Sequence, residues 1–268
     1  MTRARQTLRD AFPEARFRPL DGLVELGVAE AASDARSRPA RVTEVLSLIY
    51  EDLAPDNARR VASAGREWLL QKAATQFQGA QRWFETTCTT CGTPFDLEVH
   101  LDQVPRAEPG PDFPVADVVT SLGPRQFEAP NGGHEEAFAE VEADDPRRVF
   151  AALCGISDVA EAEAIRFTDA DLAGIDAALE ATSPEIADGV DTICPACHAS
   201  TLTRIDPLGF AFPKPAAILA EVHLLAQTYG WGEAEILALP ITRRQSYASL
   251  IRRDRGVRAP RPGRRVLM

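Results

Sequence analysis

The apolar positions of the chain change period several times. In "RVTEVLSLIYEDL", residues 41–53, Val42, Leu46, Ile49 and Leu53 fall near helical spacing and form one apolar face. A second helical run, "PDNARRVASAGREWLLQKAATQFQG", follows, with Asp56 placed to cap its start and Gly79 to stop it. The first 80 residues therefore read as helical.

From residue 82 the pattern alternates. "RWFETTCTTCGTPFDLEVHL" has a β-like stretch, a Cys-x-x-Cys-Gly turn, then Phe95, Leu97, Val99 and Leu101 at period two. That predicts a hairpin with cysteines at its tip. "PVADVVTSL" and "RQFEAP" are weaker strand candidates. Residues 131–190 return to acidic helical text. In it Pro146 stands where a helix would begin, and Thr168 lies three residues before Asp171 at capping-box spacing. "VDTICPACHASTLTRI" then repeats the plan of the first hairpin. The last 60 residues are helical again. "KPAAILAEVHLLAQTYG" runs from Pro215 to a stop at Gly230, with Ile218, Val222, Leu225 and Tyr229 on one stripe. "EAEILAL" predicts a short helix. "TRRQSYASLIRRDRG" is a helix opened by Thr242 and Gln245 and ending before Gly256. "VRAPRPGRRVLM" has no period and reads as a flexible arm.

These elements predict an α+β fold. A helical region spans residues 1–80. A zinc-ribbon-like domain spans 81–206 and carries an acidic helical insert at 131–190. A second helical region covers 207–255, and an Arg-rich tail covers 256–268. No stretch reads as a membrane span, and the N-terminus lacks the apolar run of a secretory signal. Five cysteines, an odd number, argue against a secreted disulfide framework, so a reducing bacterial cytoplasm is the expected setting.

Charge changes the picture of partners. The net charge is −11. Residues 1–20 hold five Arg against Asp10 and Glu14, and residues 252–268 hold seven Arg against Asp254. The body between is therefore strongly acidic, which opposes nucleic acid and membrane surfaces.

The candidate chemistry lies in the cysteines. "CPACH" could attach a c-type haem, but that needs export and leaves the first Cys-x-x-Cys unexplained. A thioredoxin-like dithiol needs a helix after the motif to lower the thiol pKa; here "HASTLTRI" is strand-like. Zinc fits best: two Cys-x-x-Cys turns supply four thiolates, Cys88, Cys91, Cys194 and Cys197, for one tetrahedral ion. Gly92 suits the tight turn of such a knuckle, and His198 reads as a chance neighbour rather than a ligand. A closed four-thiolate site has no open position for water or substrate, so the zinc is expected to be structural. Cys154, alone in "FAALCG", reads as a core residue, and acid pairs such as Glu135–Glu136 read as solvated surface. No phosphate-binding Gly-rich loop, HExxH or GxSxG occurs. The chain is expected not to be an enzyme.

"EVHLLAQTYGWGEAEILALPITRRQSYASLI" resembles the signature end of the T4-type phage baseplate hub assembly chaperone family. The residues that carry the likeness are Glu221 to His223, Leu225 and Ala226, Tyr229 to Trp231, Glu235 to Leu237, Arg243, Arg244 and Tyr247. "CTTCGTPFDLEVHL", "FEAPNGGHEEAF" and "ALEATSPEIADGVDTICPAC" are similar to upstream segments of that family. The second knuckle departs from it, with Cys-His where Cys-Gly is more usual. The resemblance implies a non-enzymatic assembly or structural protein of a phage-like contractile tail or injection-system baseplate. Its partners would be hub or tail proteins, and it would carry one structural Zn2+. Tyr229, Trp231, Arg243, Arg244 and Tyr247 are residue types that anchor interfaces and are the expected partner-binding set. The alternative is a zinc-ribbon regulator that contacts nucleic acid through the Arg-rich arm; a thiol oxidoreductase is a third reading.

Overall fold

The computed structural model describes residues 7–256. Four helices come first: α1 (Gly22–Ser33), α2 (Arg38–Ile49), α3 (Pro55–Arg60) and α4 (Ser63–Gln78). The apolar stripe expected on α2 is real: Val42, Leu46 and Ile49 are all buried. Gly79 ends α4 in a positive-φ conformation, where a residue with no Cβ avoids a steric cost. The run expected as one helix from Asp56 is broken. Pro55 occupies the first turn of α3, and the chain leaves the helix at Val61 and Ala62 before α4 begins. The break has a partner elsewhere: Ser63 N–H donates to Pro130 O at 3.0 Å, and Gly132 N–H to Val61 O at 3.3 Å.

Two antiparallel hairpins carry the cysteines. β1 (Gln81–Thr87) pairs with β2 (Pro94–His100), and far along the chain β7 (Gly189–Ile193) pairs with β8 (Ser200–Arg204). Between them lies a unit larger than the expected insert at 131–190. It holds a two-residue strand β3 (Arg106–Ala107), a hairpin of β4 (Val115–Thr120) and β5 (Gly123–Glu128), and helices α5 (Gly132–Ala139), α6 (Pro146–Cys154), α7 (Ala160–Ala164) and α8 (Asp169–Thr182). It ends at β6 (Glu185–Ile186). The weak strand candidates are therefore a true hairpin belonging to this unit. Their inward residues Ala116, Val118 and Phe127 pack with Leu172, Ile175 and Leu179 of α8 in a separate apolar core. The pairing of Arg106 with Ile186 and Ala107 with Glu185 closes the base of the unit, so its natural limits are residues 106–186.

The start of α8 is as expected. Asp171 N–H donates to the Thr168 hydroxyl, while Thr168 N–H donates back to the Asp171 carboxylate at 2.8 Å. This reciprocal pairing satisfies donors that the first helical turn leaves free.

The chain closes with α9 (Pro207–Phe210), α10 (Pro215–Tyr229), α11 (Glu233–Leu237) and α12 (Ile241–Asp254). Thr242 lies inside α12 rather than at its cap, because the helix already starts at Ile241 after Pro240. Gly230 stops α10 in the left-handed region. The two helical regions are not independent. Ala29 of α1 packs with Ile218, Val222, Leu225, Ile236 and Ile251. Val28, its neighbour on α1, belongs to the main core with α2, α4, Val99, Leu101 and Phe212. Contrary to the expectation that no stretch resembles a membrane span, Pro207–Tyr229 is long and apolar enough to cross a bilayer, with mean hydropathy 1.2. The helix is interrupted after Phe210 and resumes at Pro215, and Ile218, Val222 and Leu225 turn inward against neighbouring helices. The arm predicted at 256–268 lies outside the described residues beyond Gly256.

Candidate metal centre

The two hairpin tips are built alike. In the first, Cys88 N–H donates to Thr93 O at 3.0 Å and Gly92 N–H to Cys88 O at 3.0 Å. In the second, Cys194 N–H donates to Ala199 O at 3.0 Å and His198 N–H to Cys194 O at 2.9 Å. Each turn so formed brings two sulfurs to the same side. Gly92 has φ 72° and His198 φ 59°. The Cys-His departure is thus explained in conformational terms: His198 occupies the left-handed position that Gly92 fills in the first knuckle. Non-glycine residues pay for that conformation, and histidine is among the types more often found there.

The tips meet head to head. Cys88 Sγ lies 3.7 Å from Cys197 Sγ, and Cys91 Sγ lies 3.7 Å from Cys194 Sγ. All four sulfurs fall within 4.8 Å of one another. Sulfurs about 2.3 Å from a tetrahedral zinc stand about 3.8 Å apart, so the spacing of the crossed pairs matches a tetrahedral edge. Cys88 and Cys194 are buried, whereas Cys91 and Cys197 face solvent. Among the described residues, no other group of His, Cys, Asp and Glu gathers in this way.

The protein supplies hydrogen bonds that favour thiolates. Thr90 N–H donates to Cys88 Sγ at 3.4 Å, and the Thr201 hydroxyl lies 3.6 Å from the same sulfur. The Cys88 thiol is drawn down to about 6, first by the Cys91 backbone N–H and then by Thr201. Cys91 is also lowered, first by the Thr93 side chain. Cys197 moves the other way, to about 12: the Ala199 backbone N–H lowers it, but the neighbouring sulfurs, Cys91 first, outweigh that bond. Four sulfurs this close cannot all lose their protons without a cation between them. The cluster therefore has the donor set, spacing and charge demand of a metal site. Its four protein ligands would complete a tetrahedron and leave no position for a reacting molecule.

The second set of expected site residues divides. Tyr229 and Trp231 stack with centroids 4.8 Å apart, and Tyr247 meets both edge-on. Tyr229 is exposed, Trp231 and Tyr247 are half-buried, and Arg243 is exposed. Arg244 is not a surface anchor. It is 1% exposed and contacts Glu25 of α1 and, at 3.2 Å, Glu221 of α10. Burial raises the Glu25 carboxyl above its usual range, with Arg244 pulling against that shift. The paired arginines of the signature thus split between inside and outside, as successive positions on a helix can.

The expectation that Glu135 and Glu136 are merely solvated is also corrected. Glu135 Oε2 lies 3.3 Å from Arg66 Nε, and Glu136 pairs with Arg59 at 2.8 Å and with the Thr43 hydroxyl. Arg66 is 1% exposed and donates to Thr43, Ala58 O and Pro39 O. A Cβ on Gly132 would run into its guanidinium. "NGGHEE" is therefore a clasp: Asn131 caps α5, Gly132 leaves room for Arg66, and the two glutamates grip the helical body. Only the adjacent glycines and acids hint at this in sequence; Arg66, 66 positions earlier in the clasp's partner helix, carries no such mark. Cys154 is fully buried, as expected, with Sγ 3.9 Å from His134 Nδ1. His134 Nε2 in turn lies 3.1 Å from Glu128.

Comparison of the chain with protein-family models, with curated proteins and with solved structures returned no match.

Proposed function

We propose that the protein holds one zinc ion through Cys88, Cys91, Cys194 and Cys197 and serves as a non-enzymatic assembly or structural component of a phage-like contractile-tail baseplate. The observation that carries the zinc reading is the crossed pair of 3.7 Å sulfur contacts between two matching knuckles. Thiolates select a soft or borderline cation, and four of them in a tetrahedron suit zinc. When bound, the ion supplies a cross-link between distant parts of the chain; the residues do the rest by orienting the sulfurs and donating to them.

The baseplate reading is supported by the resemblance of residues 221–251. In the fold these residues form a coherent unit: Glu221 takes Arg244 and Arg252, and Tyr229, Trp231 and Tyr247 cluster beside them. Arg244 belongs to the support of that unit, so the partner contact falls to Tyr229, Trp231, Arg243 and Tyr247.

Elemental analysis of the purified protein is expected to find one zinc per chain. Co-expression with neighbouring tail and hub genes is expected to yield a complex, weakened when Tyr229 and Arg243 are replaced by Ala. Normal particles from a strain lacking the gene would sink the assembly role while leaving the metal site standing.

A further inference from the structure

The second hairpin has almost no apolar hold on the molecule. The described residues form three apolar cores, and none includes a residue from 189–204. The first hairpin differs: Val99 belongs to the main core, and Phe84 and Leu97 pack against it. What β7–β8 turns inward is threonine. Thr201 and Thr203 are buried, and the Thr203 hydroxyl lies 3.5 Å from that of Thr86 on β1. Its other face is open to solvent, with Ile193 67% and Leu202 66% exposed. The nearby ion pair of Arg204 with Asp188 is 3.6 Å long and exposed on both sides, so it adds little. Where the hairpins approach away from the cysteines, a cleft of about 530 Å³ opens beside Phe84, Thr86, Thr203 and Phe210.

A two-stranded hairpin alone is marginal in water. Threonine hydroxyls at the long distance seen here cannot replace apolar burial as its anchor. The base of the insert does not need β7–β8 either, because β3–β6 closes it and the insert has its own core. The element that depends on the sulfur cluster is therefore one hairpin and not the whole fold.

We infer that metal binding gates the docking of β7–β8: with the four cysteines closed on an ion the hairpin lies against β1, and without it the hairpin swings free while the three cores persist. This rests on the metal reading above. It makes the hairpin a local metal-dependent switch, and its release uncovers the Thr86 and Phe84 side of the first hairpin.

Hydrogen–deuterium exchange on the full chain tests this, comparing protein as loaded with one equivalent of zinc and after removal by a strong chelator. Exchange across 189–204 is expected to speed up at least ten-fold on removal. Amides of α2 and α4 should hold, and one equivalent of zinc should restore protection. A Cys194→Ser, Cys197→Ser variant should behave like the chelated protein without any chelator present. Unchanged exchange across 189–204 in protein shown to be metal-free overturns the inference. So does core exchange that rises in step with the hairpin, since that marks global unfolding. Failure to take up zinc at all refutes the metal reading itself, and elemental analysis run in parallel separates that outcome from the others.

Discussion

At the scale of single residues, the functional text of this chain divides into residues that face a ligand and residues that hold others in place. Arg244 is of the second kind. Removing one partner from a buried ion pair costs about 3–5 kcal/mol, because the remaining charge is left without compensation. Arg244→Ala is expected to lose stability on that scale in urea denaturation, through the stranded Glu25 and Glu221. Glu25 is already raised by burial. A carboxyl whose folded-state pKa is raised favours the folded state at low pH and loses that contribution as pH rises through the folded value. The variant should therefore recover part of its stability as the pH is lowered from neutrality toward the carboxylate range. Asp171 has the opposite sign. Its carboxyl is held well below the usual range, first by the Ser121 hydroxyl and then by backbone N–H groups of Thr168 and Ser121. Its contribution is present at neutral pH and is lost as pH falls below the ordinary value of 3.8. Asp171→Asn should flatten the acid limb of a pH–stability curve. At His198, the left-handed backbone conformation predicts that His198→Gly keeps its metal and gains up to about 1 kcal/mol, the strain relieved exceeding the entropy lost. Loss of metal in that variant would instead make the imidazole a ligand.

Elements explain why some of this was readable in sequence and some was not. The knuckles were legible because a Cys-x-x-Cys turn carries its chemistry within four residues, and two of them gave the ligand count. Helix ends were legible for the same local reason at Gly79, Gly230 and the Thr168–Asp171 pair. Thr242 and Asp56 have equally good local credentials as caps and fail, since the caps fall two residues earlier, at Pro240 and at Ala54 before Pro55. What escaped was long-range. Nothing near Arg66 announces that three other helices converge on it, and nothing near Glu135 announces a buried partner. Sequence alone puts β4 and β5 in the ribbon rather than the insert, because alternation tells which face is apolar, not which core receives it. The clasp gives a direct check at this scale. Gly132→Ala should displace the Arg66 guanidinium and cost about 1–3 kcal/mol by overpacking, read as a lower urea midpoint with an unchanged slope.

The whole molecule is a helical body whose two ends share α1, with an acidic unit inserted through a pair of hairpins. Its three cores meet at few residues, so losses in one need not spread to the others. Double substitutions drawn from different cores, such as Leu69→Ala with Ile175→Ala, should add in free energy, as distant sites generally do. Coupling larger than about 0.5 kcal/mol would show that the two sites interact across the boundary between the insert and the body.

The distance between the knuckles along the chain also sets an order of events during synthesis. Cys91 and Cys194, neighbours in space, are separated by 103 residues. At translation rates of about 5–20 residues per second, the first pair of sulfurs waits roughly 5–20 s for the second. A half-site of two thiolates must pass that interval exposed to whatever soft metal or oxidant the cell contains. The inserted unit, with its own core and closed base, is released in the same interval and is free to fold before the ion is captured. On the metal reading proposed above, the cell's handling of nascent thiols, as much as the affinity of the finished site, sets how many chains mature loaded.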